Sequence, residues 1–99
     1  MAKMNKTEAI FFLSQHNKTT GFMANVVQYG SQFKGHAAML IKYMAHMVAE
    51  GFDLSVVPHS IEPCVNGKQM TWKSLRQIGE ALYNEEITKE QVIGLIKEL

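Results

Sequence analysis

Ninety-nine residues and 11.2 kDa leave room for one domain, residues 1–99. The chain is 46% hydrophobic and 19% charged with a net charge of +1, which excludes a disordered tail, a collagen-like repeat and a polybasic arm. Cys64 is the sole cysteine, so no intrachain disulfide can form, and a reducing, cytoplasmic setting is expected.

No apolar run approaches the ~20 residues that span a bilayer. Residues 10–13 are too short a stretch for a signal-peptide core, and the region 37–49 is interrupted by Lys42 and His46. A soluble protein without membrane contact is the expectation. The near-neutral total hides an asymmetry. Residues 1–50 carry five lysines against Glu8 and Glu50, a net +3; residues 51–99 carry five cations against seven carboxylates, a net −2. Such a split can steer an oppositely charged partner, or simply record which helices face water.

In chain order, Asn5 and Glu8 form a capping-box pattern that opens a helix over 5–16, with Ala9, Ile10, Phe12 and Leu13 turned inward. Phe22, Val26, Tyr29 and Phe33 recur with a helical period and predict a second helix over 20–34. A third helix over 36–50 carries one polar ridge, Lys42, His46 and Glu50, and is apolar almost everywhere else. A helix of that kind is central in its domain or covered by a partner chain. Gly51 is placed to end it.

Periodicity is lost over 52–70. Leu54, Val56 and Val57 favour strand, and Pro58 and Pro63 oppose helix. Asn66-Gly67 is a type I′ turn signal that predicts a short β-hairpin. Helix returns over 71–84, with Thr71 as cap and Met70 and Leu75 as a staple. It returns again over 88–98, with Thr88 and Gln91 as a capping box and Ile87 and Val92 as a staple. The turn between these two helices is short enough to predict an αα-hairpin. The expected fold is mainly α: a compact domain of about five helices with a hairpin between the third and fourth.

The chemistry-bearing residues do not assemble into a catalytic or metal motif. His16, His36, His46, His59 and Cys64 lack the close paired spacing that zinc sites use. Cys64 with His59 is the one nucleophile–base pair within reach, and no third group is supplied by pattern. Glu85 and Glu86 read as a solvated turn. No catalytic residue, metal or cofactor is therefore assigned, and an enzyme is not expected. Helix–turn–helix over 71–99 suggests duplex recognition, with Thr88, Lys89, Glu90 and Gln91 opening the second helix. The carboxylates at Glu85, Glu86, Glu90 and Glu98 oppose phosphate, and Arg76 is the chain's single arginine.

Protein recognition is the leading expectation. The seven methionines and the apolar third helix suit an adaptable contact surface. Tyr43, Met47, Trp72 and Arg76 are the candidate anchors, with Lys42 and His46 on the rim. Ordinary core packing of Tyr43 and Met47 is the competing reading. The size and plain composition are those of small phage- or plasmid-type regulators and inhibitors that bind a larger host complex. That likeness rests on no residue-by-residue correspondence. The alternatives are a homo-oligomer covering the third helix, or a nucleic-acid-binding transcriptional regulator using the basic first half or the last two helices.

Overall fold

The computed structural model describes residues 4–15, 37–56 and 62–98. The helix expected over 20–34 lies outside the described residues, as do His16, His36 and His59. Among the described residues there are four helices: α1 (Lys6–Ser14), α2 (Ala37–Ala49), α3 (Trp72–Tyr83) and α4 (Lys89–Lys97). Three strands, β1 (Leu54–Val56), β2 (Pro63–Val65) and β3 (Lys68–Gln69), separate α2 from α3.

The helix ends follow local chemistry. The Asn5 side chain accepts from the Glu8 amide at 2.8 Å, and Glu8 Oε1 accepts from the Asn5 amide at 3.1 Å. Thr88 and Gln91 repeat this reciprocal box at 3.2 and 2.8 Å. Thr71 Oγ1 accepts from the Ser74 amide at 3.1 Å, while Met70 and Leu75 are both buried beneath that cap. α2 ends in a Schellman motif. Gly51, at φ 101°, donates to Val48 O, and Phe52 N donates to Met47 O, each at 3.0 Å. α3 ends the same way through Glu86 N to Ala81 O at 2.8 Å, but there the left-handed position is Glu85, at φ 60°.

The extended segment forms a three-stranded antiparallel sheet of order β1-β2-β3, one strand more than a lone hairpin. Asn66 and Gly67, at φ 51° and 83°, make the turn between β2 and β3. Asn66 also ties the turn to the start of β1: its Oδ1 accepts from Asp53 N and its amide donates to Asp53 O, both at 2.8 Å. Leu54 pairs with Val65 and both are buried, so one face of the sheet closes on the core.

α2 is the centre of the packing, with α1 on it and α3 on it. Leu40, Ile41, Met44, Ala45 and Met47 are all buried, joined by Ala9 and Leu13 of α1, Leu75 and Leu82 of α3, and Val92 and Ile96 of α4. α3 takes its main helical contact from α2 rather than from α4, so the last two helices are braced through a shared core more than against each other. Gly79 makes the α2–α3 approach possible. A Cβ there would meet Tyr43 Cβ at 2.9 Å and Met47 Sδ at 3.4 Å.

Candidate interaction surface

Four of the six residues singled out from the sequence lie on α2, and the fold covers most of that helix. Tyr43 is 7% exposed, Met47 is fully buried and Trp72 is 6% exposed. They are core, because α1 and α3 already occupy the apolar flanks of α2 that a partner was expected to cover. His46, expected on a rim, is also buried. Only Lys42 and Arg76 keep partial exposure.

Tyr43, His46 and Arg76 nevertheless share one seam between α2 and α3. The Tyr43 and Tyr83 rings meet edge to face, with centroids 5.3 Å apart. His46 packs against the same Tyr83 ring at 5.8 Å, and its Nε2 lies 3.2 Å from Glu50 Oε1 one turn on. Arg76 donates to Glu80 Oε2 at 3.1 Å across one turn of α3. Burial pushes the Tyr43 phenol above its usual value, the Glu80 carboxylate adds to that, and Arg76 partly offsets it.

The seam opens into a polar cleft of about 260 Å³ bounded by His46, Glu50, Glu85, Thr88 and Lys89. Its charged groups are mutually arranged. Lys89 Nζ reaches to 3.0 Å from where a Cβ on Gly51 would stand, close to the carbonyl end of α2, where a cation is favoured. Thr88 Oγ1 is engaged as a helix cap. Among the described residues no group of three His, Cys, Asp or Glu side chains could hold a metal ion. Cys64 sits half-buried on β2, paired across the sheet with Ser55 and Gln69. No helix among the described residues is long and apolar enough to cross a membrane.

Apolar surface is exposed elsewhere, including at Ile10, which the sequence pattern turns inward. On α1, Phe11 is 65% exposed and Ile10 39%. The buried residues of that helix, Ala9 and Leu13, lie on the side opposite Phe11, with Ile10 at the border between the two faces. On α4, Leu95 is 51% exposed. With Ile78 of α3 it floors a groove of about 390 Å³, edged by Ser74, Gln77 and Glu98. The available signal was in residues 9–13, where five apolar residues in succession exceed what one buried helix face can use.

No protein-family model, curated protein or solved structure matches this chain.

Proposed function

We propose that this chain is a small non-enzymatic protein-interaction module, a cytoplasmic regulator or inhibitor that binds a larger protein complex. The observation that carries the reading is Phe11: a large aromatic side chain, 65% exposed, on a helix whose other face is fixed in the core. Aromatic side chains held rigidly at a surface are the usual anchors of protein contacts. The groove over Ile78 and Leu95 supplies a second apolar feature with a polar edge, the anatomy of a contact patch. Lys42 and Arg76 stay partly exposed and available to a partner, whereas Tyr43, His46, Met47 and Trp72 are buried and serve the core.

Affinity capture from host lysate with wild type and with Phe11→Ser tests this. A specific protein retained by wild type and lost with Phe11→Ser, with the far-UV CD spectrum unchanged, is the expected outcome. Capture unaffected by the substitution removes Phe11 as the anchor. Binding to arbitrary duplex DNA that falls steeply between 50 and 200 mM salt favours the nucleic-acid alternative instead.

A further inference from the structure

The turn between β2 and β3 is Asn66-Gly67, and the proposed interaction surface makes no use of it. Of the asparagines in the chain, Asn5, Asn17, Asn25, Asn66 and Asn84, only Asn66 is followed by glycine. That step is chemically labile. The Gly67 nitrogen, with no side chain beside it, can attack the Asn66 side-chain carbonyl carbon and close a five-membered imide. Both residues are exposed, and nothing lies within 4 Å of where a Gly67 Cβ would stand, so water and base reach the step freely.

The conformation of the turn nevertheless opposes the reaction. Ring closure needs Asn66 Cβ and the Gly67 nitrogen on the same side of the Cα–C bond. Asn66 stands at φ 51°, in the left-handed region, whose ψ of about +30 to +60° puts the two on opposite sides. Two bonds hold it there: Asn66 Oδ1 accepts from Asp53 N and Asn66 N donates to Asp53 O, each at 2.8 Å. Leu54 and Val65, the neighbours of Asp53 and Asn66, pair across the sheet and are both buried, so freeing the turn disturbs the core edge of the sheet.

We propose that Asn66 is a latent deamidation site, closed by the folded turn and reactive when the sheet opens. In the opened chain a bond forms between Gly67 N and Asn66 Cγ, the Cγ–Nδ2 bond breaks, and Nδ2 leaves as ammonia with the proton from Gly67 N. Water, the sole co-reactant, then adds at one of the two imide carbonyls. Opening at Cγ leaves aspartate, which keeps an acceptor for Asp53 N. Opening at the main-chain carbonyl leaves isoaspartate, whose backbone runs through Cγ and carries an extra methylene. A two-residue turn with both φ positive does not accommodate that longer link. A transient opening of the sheet thereby becomes a permanent lesion.

Peptide mass spectrometry of the full chain, incubated at mildly alkaline pH over a urea series that spans unfolding, tests the proposal. In the unfolded chain Asn66 deamidates ahead of every other asparagine. In the folded protein it reacts more slowly by about tenfold or more, and the rate climbs along the unfolding curve followed by far-UV CD. Leu54→Ala, which thins the pair behind the turn, speeds the reaction in the folded protein and leaves the unfolded rate unchanged. Should that variant not fold, the urea series on wild type decides alone. After urea is removed, the isoaspartate fraction unfolds at lower urea than unreacted chain. A folded rate equal to the unfolded rate overturns the proposal, as does a rate indifferent to urea. An unfolded chain in which Asn66 reacts no faster than Asn84 overturns it too, and isoaspartate chains as stable as unreacted ones overturn the lesion.

Discussion

Gly79 and Glu85 occupy α3 and its end for opposite reasons. Gly79 has no side chain where none fits: the nearest atom to an added Cβ is Tyr43 Cβ, held near its own backbone and unable to swing away. Gly79→Ala therefore forces α2 and α3 apart and is expected to destabilise the fold by about 1–3 kcal/mol, despite alanine's better helix propensity. Urea unfolding measures this directly. Glu85 has a side chain where glycine is preferred, at φ 60° in the Schellman position after α3. Glu85→Gly relieves the left-handed strain and is expected to stabilise by about 0.5–1 kcal/mol in the same assay. Tyr43 adds a pH dependence. Its phenol is held above the ordinary value of 10.0, chiefly by burial and then by Glu80. The neutral form is the one the folded state favours, so this stability is fully present below the unfolded value and is lost as pH rises through the folded one. Thermal unfolding from pH 8 to 11.5 should show a steeper alkaline loss for wild type than for Tyr43→Phe.

At the scale of elements, α1 and α2 are both strongly apolar and the fold treats them differently. α2 is flanked by α1 and by α3, so most of its apolar circumference is used internally, Met39 staying exposed near its start, and its anchor-like residues become core. Full burial of a side chain such as Leu40 or Met44 contributes about 1.5–3 kcal/mol, which explains why this helix takes the centre. Among the described residues, α1 has its main helical neighbour, α2, on one side. Ala9 and Leu13 are buried while Phe11 remains in solvent, and the residue most available to a partner is on the shorter helix. The sheet shows how much one turn can organise. Asn66 adopts the left-handed conformation of the hairpin and hydrogen-bonds to Asp53, so the same residue that turns β2 into β3 also docks the entry to β1.

For the whole molecule, the distribution of charge and apolar surface matters more than either total. The net charge of +1 is the sum of a first half at +3 and a second half at −2, a separation that can orient an encounter with an oppositely charged partner. The polar seam of Tyr43, Tyr83, His46 and Glu50 stays on the interior side of the α2–α3 contact, where its groups answer one another. Among the described residues, the large apolar side chains left exposed are Ile10 and Phe11 on α1, Met39 on α2 and Leu95 over the groove between α3 and α4.

Helix ends were legible from local rules. Asn5 with Glu8, Thr88 with Gln91, Thr71 beside its staple, Gly51 as a stop and Asn66-Gly67 as a turn each depend on residues within a few positions of one another, so the sequence by itself determined them. The third strand, the seam and the exposed apolar surfaces depend on which helix lies against which. Residues 36–50 are apolar nearly all round, and that pattern is equally consistent with a domain centre and with a covered interface; only the placement of α1 and α3 on its flanks decided for the centre. The same placement moved Tyr43, Met47 and Trp72 from candidate anchors to core and left Phe11 and Leu95 outside. Periodicity records how much apolar surface a helix has, whereas tertiary structure decides which part of it loses contact with water.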